Sequence, residues 1–289
     1  MEKDIRRLSR LITQIESDPS KAREILKGAE MKDVPIIGVT GVAGVGKITL
    51  VDAMIKAYRE EGRRVAVIAV DPSSPFSGGA FLGDRIRMKR HFTDEGVFIR
   101  SMASRGALGG LNDAIFDVVD LIRTFDFDII IVETVGAGQT EVDIAYVATT
   151  VLLILAPGGG DEVQMMKAGI MEIADIFVVN KADLAGIDSL ILSLRAMLEI
   201  SPQKSWKPPI VRTVATAGEG VRGLLDAVES HEKHLRDFGE IEERRKRSVK
   251  KHVEHIIRNE VVKVLENIDA IDLQDALMRV KKQICKGGV

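Results

Sequence analysis

Apolar residues follow two different rhythms along this chain. At the start, Ile5, Leu8, Ile12 and Ile15 recur at spacings of three and four, and Ile25 and Leu26 follow before Gly28. That spacing lays one apolar stripe along a helix, and a glycine commonly closes one. Residues 1–33 are therefore expected to form an N-terminal helical extension. From Val34 the rhythm changes to short apolar runs at 35–39, 65–70, 97–99, 129–132, 151–155, 176–179 and 210–214. These runs lack polar alternation, as strands do when both faces are covered. Helical stretches between them imply crossovers and an α/β fold, a doubly wound and largely parallel sheet spanning residues 34–230. Beyond 231 the strands stop. Val249, Val253, Ile256, Ile257, Val261, Val264, Leu265 and Ile268 then make a helical stripe in a charged segment, so 231–289 reads as a C-terminal helical region. A single apolar face must bury against its own domain or against a second copy.

In such sheets ligands bind beyond the carboxyl ends of the strands. After the first run comes Gly41-Val42-Ala43-Gly44-Val45-Gly46-Lys47-Ile48-Thr49. The phosphate-loop pattern G-x-x-x-x-G-K-[ST] is met at Gly41, Gly46 and Lys47 and missed at Ile48. Glycines let backbone N–H groups converge on phosphate oxygens, and the helix that follows adds about half a positive charge at its N-terminus. Lys47 would face the β- and γ-phosphates and Thr49 the α-phosphate. Position 48 ordinarily supplies a hydroxyl to Mg²⁺, which isoleucine cannot do. A glycine-rich strand-to-helix turn without a ligand is the competing reading.

Asn180-Lys181-Ala182-Asp183 follows the run 176–179. Asp183 can accept from guanine N1–H and the exocyclic amine, donors that adenine does not present in that arrangement. An unpaired buried acceptor costs about 1–3 kcal/mol, which rejects the wrong base. Asn180 would face N7 and the Lys181 stem would cover the ring. Val214-Ala215-Thr216, ahead of Gly218-Glu219-Gly220, looks like the loop whose amides meet guanine O6. A polar turn that merely spells N-K-x-D is the alternative.

Asp71 and Glu133 end two of the apolar runs and would point into the site, and Asp84 lies in a loop rich in Gly, Ser and Pro. Hard oxygen ligands of this kind suit Mg²⁺, and together the three are candidate metal ligands that partly compensate for Ile48. An ordinary ion pair of Asp84 with Arg85 or Arg87 is the plainer reading. Glu133-Thr134-Val135-Gly136 occupies the place of a γ-phosphate sensor, with the Gly136 N–H offered to the phosphate. Lys47, Glu133 and Gly136 are accordingly the catalytic candidates. Ala137 stands where fast GTPases need a water-orienting glutamine, and Gln139 is displaced by two residues, so slow hydrolysis is expected.

This motif set resembles the ArgK/MeaB family of P-loop GTPases, which includes methylmalonic aciduria type A proteins. Asp71-Pro72-Ser73-Ser74-Pro75, Gly83-Asp84-Arg85, Ser104-Arg105-Gly106, Glu133-Thr134-Val135-Gly136 and Pro157-Gly158-Gly159-Gly160-Asp161 through Gln164 and Lys167 carry the resemblance, over residues 34–230. It implies a metallochaperone GTPase that gates adenosylcobalamin loading of methylmalonyl-CoA mutase and protects that enzyme. It further implies GTP/GDP and Mg²⁺ as cofactors, and a homodimer joined by the C-terminal helices. Asp161, Gln164 and Lys167 would then form a switch loop that signals to the mutase. Ile48 departs from the family's serine or threonine.

Composition narrows the field. With 45% hydrophobic and 29% charged residues the chain is ordinary for a globular protein, and its net charge of −2 argues against nucleic-acid binding by bulk positive charge. The single cysteine, Cys285, excludes an intrachain disulfide and a four-thiolate zinc site. The charged first ten residues lack a secretory apolar run and no segment is apolar over about 20 residues, so a cytoplasmic protein is expected. His231 and His234, then His252 and His255, read as solvated surface histidines among charged neighbours. Glu242 to Arg247 reads as a solvated helix face and Trp206 as a residue that packs a loop. A nickel-delivery GTPase would need a histidine-rich tail or paired cysteines, a small-molecule kinase would favour ATP, and Ile48 leaves open a binding scaffold with little turnover.

Overall fold

The computed structural model describes residues 2–71, 88–103, 114–134, 136, 141–158, 170–200, 205–266 and 272–286. It divides into two compact units, Met1–Ile241 and Glu242–Val289. Among the described residues of the first unit, seven strands form one sheet: β1 (Ile36–Thr40), β2 (Val65–Asp71), β3 (Val97–Ala103), β4 (Ile129–Glu133), β5 (Thr150–Leu155), β6 (Ile176–Val179) and β7 (Ile210–Arg212). Their order is β3-β2-β4-β1-β5-β6-β7, and every pairing is parallel. The chain leaves the central β1 to build one side of the sheet, then crosses it to build the other. That reversal opens the crevice in which ligands of such sheets sit.

Among its described residues this unit carries the α-helices α1 (Glu2–Ser17), α2 (Lys21–Leu26), α3 (Lys47–Glu60), α4 (Ile115–Arg123), α5 (Ile144–Val147), α6 (Ile187–Ile200) and α7 (Val221–Asp237). They cover both faces of the sheet, which explains the missing polar alternation. In β2, Ala66, Ile68 and Val70 enter a core with α1, α4 and α5, while Val65 and Val67 enter a second core with α3 and α7. α6 closes a third cluster over Leu153, Leu155, Phe177 and Val179.

The N-terminal stripe is broken in two. Pro19 cannot donate to a helix, and the Asp18 carboxylate instead accepts from the Ser20 backbone N–H at 3.2 Å and its hydroxyl at 2.6 Å, a local turn that restarts the chain as α2. α1 is bound tightly to the sheet unit. Leu8, Ile12 and Ile15 are fully buried, and the Arg100 guanidinium on the edge strand β3 donates to Glu16.

The expectation of solvated histidines fails at two positions. Val221, Leu224, Leu225 and Val228 set a buried stripe on α7, and the next steps of that periodicity fall on His231, Glu232 and Leu235, all buried. His231 Nδ1 lies 2.8 Å from Thr150 Oγ1, and its ring centroid is 4.9 Å from that of Trp206. The Trp206 indole donates to Asp175 O at 2.8 Å, so this residue does pack its loop. Periodicity outweighed the polar neighbours. His255 is buried as well.

α8 (Glu240–Glu266) and α9 (Leu273–Lys286) carry the second unit. On α8, Val249, Val253 and Ile257 are spaced four apart and are 61%, 47% and 45% exposed, an aliphatic row facing solvent. No helix among the described residues is long and apolar enough to cross a membrane.

Ile12→Ala tests whether α1 belongs to the core of the sheet unit. Removing this fully buried side chain should cost about 2–4 kcal/mol in urea unfolding. A change below about 0.5 kcal/mol, the size of a surface substitution, would mean that α1 is only loosely attached.

Candidate functional site

Strand ends β1, β2, β4, β6 and β7 open onto one edge of the sheet, and the loops leaving them build the site. From β1 the chain turns into α3 through Gly41–Gly46 positions that only glycine can fill at both ends. Gly41 has φ 144°, and a Cβ there would lie 2.3 Å from Ile154 O. Gly46 has φ 93°, and a Cβ there would lie 2.5 Å from Asn180 Nδ2. Between them Ala43 and Gly44 are exposed and Val45 is buried. Lys47 opens α3 and is only 7% exposed. Its ammonium donates to Gly41 O at 2.7 Å and Val42 O at 3.2 Å. Gly136, just beyond β4, closes over this lysine: a Cβ there would be 2.4 Å from Lys47 Nζ and 3.0 Å from Ala43 N. A buried ammonium behind a glycine-lined turn, at the N-terminus of a 14-residue helix, is a combination suited to an anion.

The second half of the site follows β6 and β7. Asn180 is 2% exposed and ties three loops together. Its Nδ2 donates to Val45 O at 2.9 Å, while its Oδ1 accepts from Thr213 Oγ1 and from the Ala215 N–H, both at 3.1 Å. Lys181, at φ 56°, reaches back to donate to Gly44 O at 2.8 Å. Val214 pairs antiparallel with Glu219, so the segment after β7 forms a tight loop rather than continuing the strand. Gly46, Thr49, Asn180, Lys181, Asp183, Leu184, Val214, Ala215 and Thr216 line a pocket of about 210 Å³. Asp183 is exposed there. Thr49, expected at the α-phosphate, borders this pocket. Sequence reasoning missed Leu184 and Thr213, although each adjoins a residue that motif spacing had singled out.

Asp71 and Glu133 end β2 and β4 and are 1% and 4% exposed. Glu133 is level with Ala69, so Asp71 stands two residues further toward the loops. Asp84 and the residues Asp161, Gln164 and Lys167 lie outside the described residues, as do Ala137 and Gln139. Magnesium, implied by the fold class, needs oxygen donors around the phosphates. Ile48 offers hydrocarbon, and with Val42 it packs against the α3-side core. Among the described residues no group of three His, Cys, Asp or Glu side chains is arranged to hold a metal. The donor set in view does not fit a magnesium ion ligated from the phosphate-loop helix.

A parallel sheet with this strand order, and a glycine-lined turn delivering a buried lysine at the start of α3, define a P-loop nucleoside-triphosphatase. The chain belongs to the family described as "Methylmalonyl Co-A mutase-associated GTPase MeaB", which matches residues 8–269. A Pyrococcus horikoshii protein with a provisional GTPase name is 50% identical over 269 residues, 91% of this chain and 85% of its own length. The mouse (Mus musculus) mitochondrial methylmalonic aciduria type A homolog is 34% identical, across 85% of this chain and 60% of its own. GTPase ArgK of Escherichia coli is 37% identical, across 66% and 60%. The crystal structure of a LAO/AO transport system kinase shares the fold, with a TM-score of 0.69 at 23% identity, covering 98% of this chain and 97% of that one. Hydrogenase maturation factor HypB of Archaeoglobus fulgidus also shares the fold, with a TM-score of 0.53 at 21% identity over 76% of this chain and 98% of that one.

Asn180→Ala tests the strut. It strands the buried Val45 carbonyl and Ala215 N–H, at a cost of about 1–3 kcal/mol in unfolding free energy. Hydrogen exchange at the Ala215 amide should also accelerate. Unchanged exchange there would show that the loops hold without Asn180.

Proposed function

We propose that this chain is a guanine-nucleotide switch that binds and hydrolyses GTP and attends a cobalamin-dependent mutase of the methylmalonyl-CoA type. The observation that carries the nucleotide reading is the pocket in which residues after β6 and β7 close directly on Gly46 and Thr49 of the phosphate loop. One ligand can touch both, a base at one end and phosphates at the other. Asp183 at the exposed rim supplies the acceptor that guanine satisfies and adenine does not. Lys181 covers the base, and the amides of Val214, Ala215 and Thr216 border its O6 side.

In this reading Lys47 and the amides from Val42 to Gly46 hold the phosphate oxygens, so charge that builds up on them in the transition state meets fixed donors. Gly136 offers its N–H at the γ-phosphate, and Glu133 stands behind it at the end of β4. Water attacks the γ-phosphorus and GDP leaves with inorganic phosphate. Ala137, at the place in the sequence where fast GTPases carry a water-orienting glutamine, makes slow unaided turnover part of the proposal, with a partner enzyme supplying the stimulus.

The family description supports the mutase as that partner. Gating of adenosylcobalamin loading and protection of the mutase are the roles proposed, with Asp161, Gln164 and Lys167 as the residues that report to it. The exposed aliphatic row on α8 supports a homodimer formed through the C-terminal helices. Sedimentation at micromolar concentration should give twice the chain mass, and a monomer would remove that part of the proposal.

Asp183→Ala tests the switch itself. Losing the charged acceptor for two guanine donors should weaken GDP binding about 10- to 100-fold and leave ADP binding unchanged. GTP hydrolysis by the unaltered chain should rise on adding methylmalonyl-CoA mutase, and the Asp183→Ala variant should lose that response at limiting GTP. Equal loss of GDP and ADP affinity, or no response to the mutase, would contradict the respective half of the reading.

A further inference from the structure

The phosphate loop of this chain is held in shape by its own side chains. Lys47 engages the carbonyls of Gly41 and Val42, Lys181 that of Gly44, and Asn180 that of Val45. A trans peptide plane carries its N–H opposite the preceding C=O. Fixing these four carbonyls therefore also fixes the directions of the N–H groups of Val42, Ala43, Val45 and Gly46, and the Ala43 nitrogen and the Lys47 ammonium both border the Gly136 position. Gly136 and Gly46 permit the close approaches this needs, Gly136 to Lys47 and Gly46 to Asn180.

At the second residue of α3, where a hydroxyl would join the phosphates to a cation, Ile48 instead extends the apolar contact of the loop with the core beneath α3, alongside Val42. The loop thus exchanges a metal ligand for a packing contact. Its positive elements are the Lys47 ammonium, the oriented amides and the helix N-terminus, and none of them requires a divalent ion. Asp71 and Glu133 are the carboxylates that end neighbouring strands. A hydrated ion held by them is the arrangement that would restore a metal requirement.

We propose that nucleoside diphosphate binding in this chain is uncoupled from magnesium: the diphosphate is held by a preassembled amide-and-lysine cradle to which the cation adds little affinity. This rests on the nucleotide reading given above and specifies how that site is regulated. A cellular shift in free magnesium would then leave its nucleotide occupancy unchanged.

The test is a fluorescence titration of the full-length chain with N-methylanthraniloyl-GDP, once in excess MgCl₂ and once in excess EDTA. The two dissociation constants should agree within about threefold. Ile48→Thr restores an oxygen at this position and should bind at least about tenfold tighter with magnesium than with EDTA. Ile48→Val shortens the side chain without adding an oxygen, so its two constants should again agree within about threefold, which separates a ligand effect from a packing effect. A wild-type chain that loses about tenfold or more in EDTA would overturn the inference while leaving the nucleotide reading intact. No gain of metal dependence in Ile48→Thr would overturn the role given to position 48. Absence of GDP binding in both buffers would overturn the nucleotide reading and the inference together.

Discussion

Everything proposed for the site depends on one buried amide. The Asn180 side chain makes three hydrogen bonds, giving one hydrogen to the phosphate loop at Val45 and accepting two from the segment after β7. It is out of water, so each of these bonds is expensive to lose. By this means three loops that leave separate strands, β1, β6 and β7, hold a fixed spacing. The distance between a phosphate cradle and a base pocket is then a property of the folded chain and is not created by a ligand. Gly46 belongs to the same constraint, because any side chain there would occupy the space of the Asn180 amide.

The parallel sheet makes this constraint possible. The seven strands among the described residues run the same way, so their carboxyl ends and following loops gather on one edge. Both faces are sealed by helices, which leaves that edge as the accessible place for polar chemistry. Asp71 and Glu133 stay buried there because they are the last residues of strands whose preceding residues are core. The second unit, with its exposed row Val249, Val253 and Ile257, offers a different kind of surface. In the proposed function it joins two copies, while the sheet edge serves the nucleotide.

Much of this was legible in the sequence because two signals are local and strong. Uninterrupted apolar runs mark strands covered on both faces, and glycines before a lysine mark a turn that must bring backbone close to something. The strand order was not legible, since periodicity does not say which run neighbours which. Nor was the strut: N-K-x-D identifies Asn180, but nothing in four letters shows that its amide spans to Val45 and Ala215. His231 reads as solvated from its polar neighbours, yet the three- and four-residue spacing that continues from Val228 carries it into the core. Pro19 likewise splits the first helical stripe into α1 and α2, which apolar spacing alone does not show.

The central claim is that one guanine nucleotide is gripped at both ends by loops already held in place. Hydrogen–deuterium exchange of the full chain with saturating GDP, and separately with ADP, tests it most directly. The account predicts that GDP slows exchange together in residues 41–49 and in the segments 180–184 and 214–216, and that ADP does not reproduce the effect at the latter two. Protection confined to the phosphate loop, or the same pattern with both nucleotides, would contradict it.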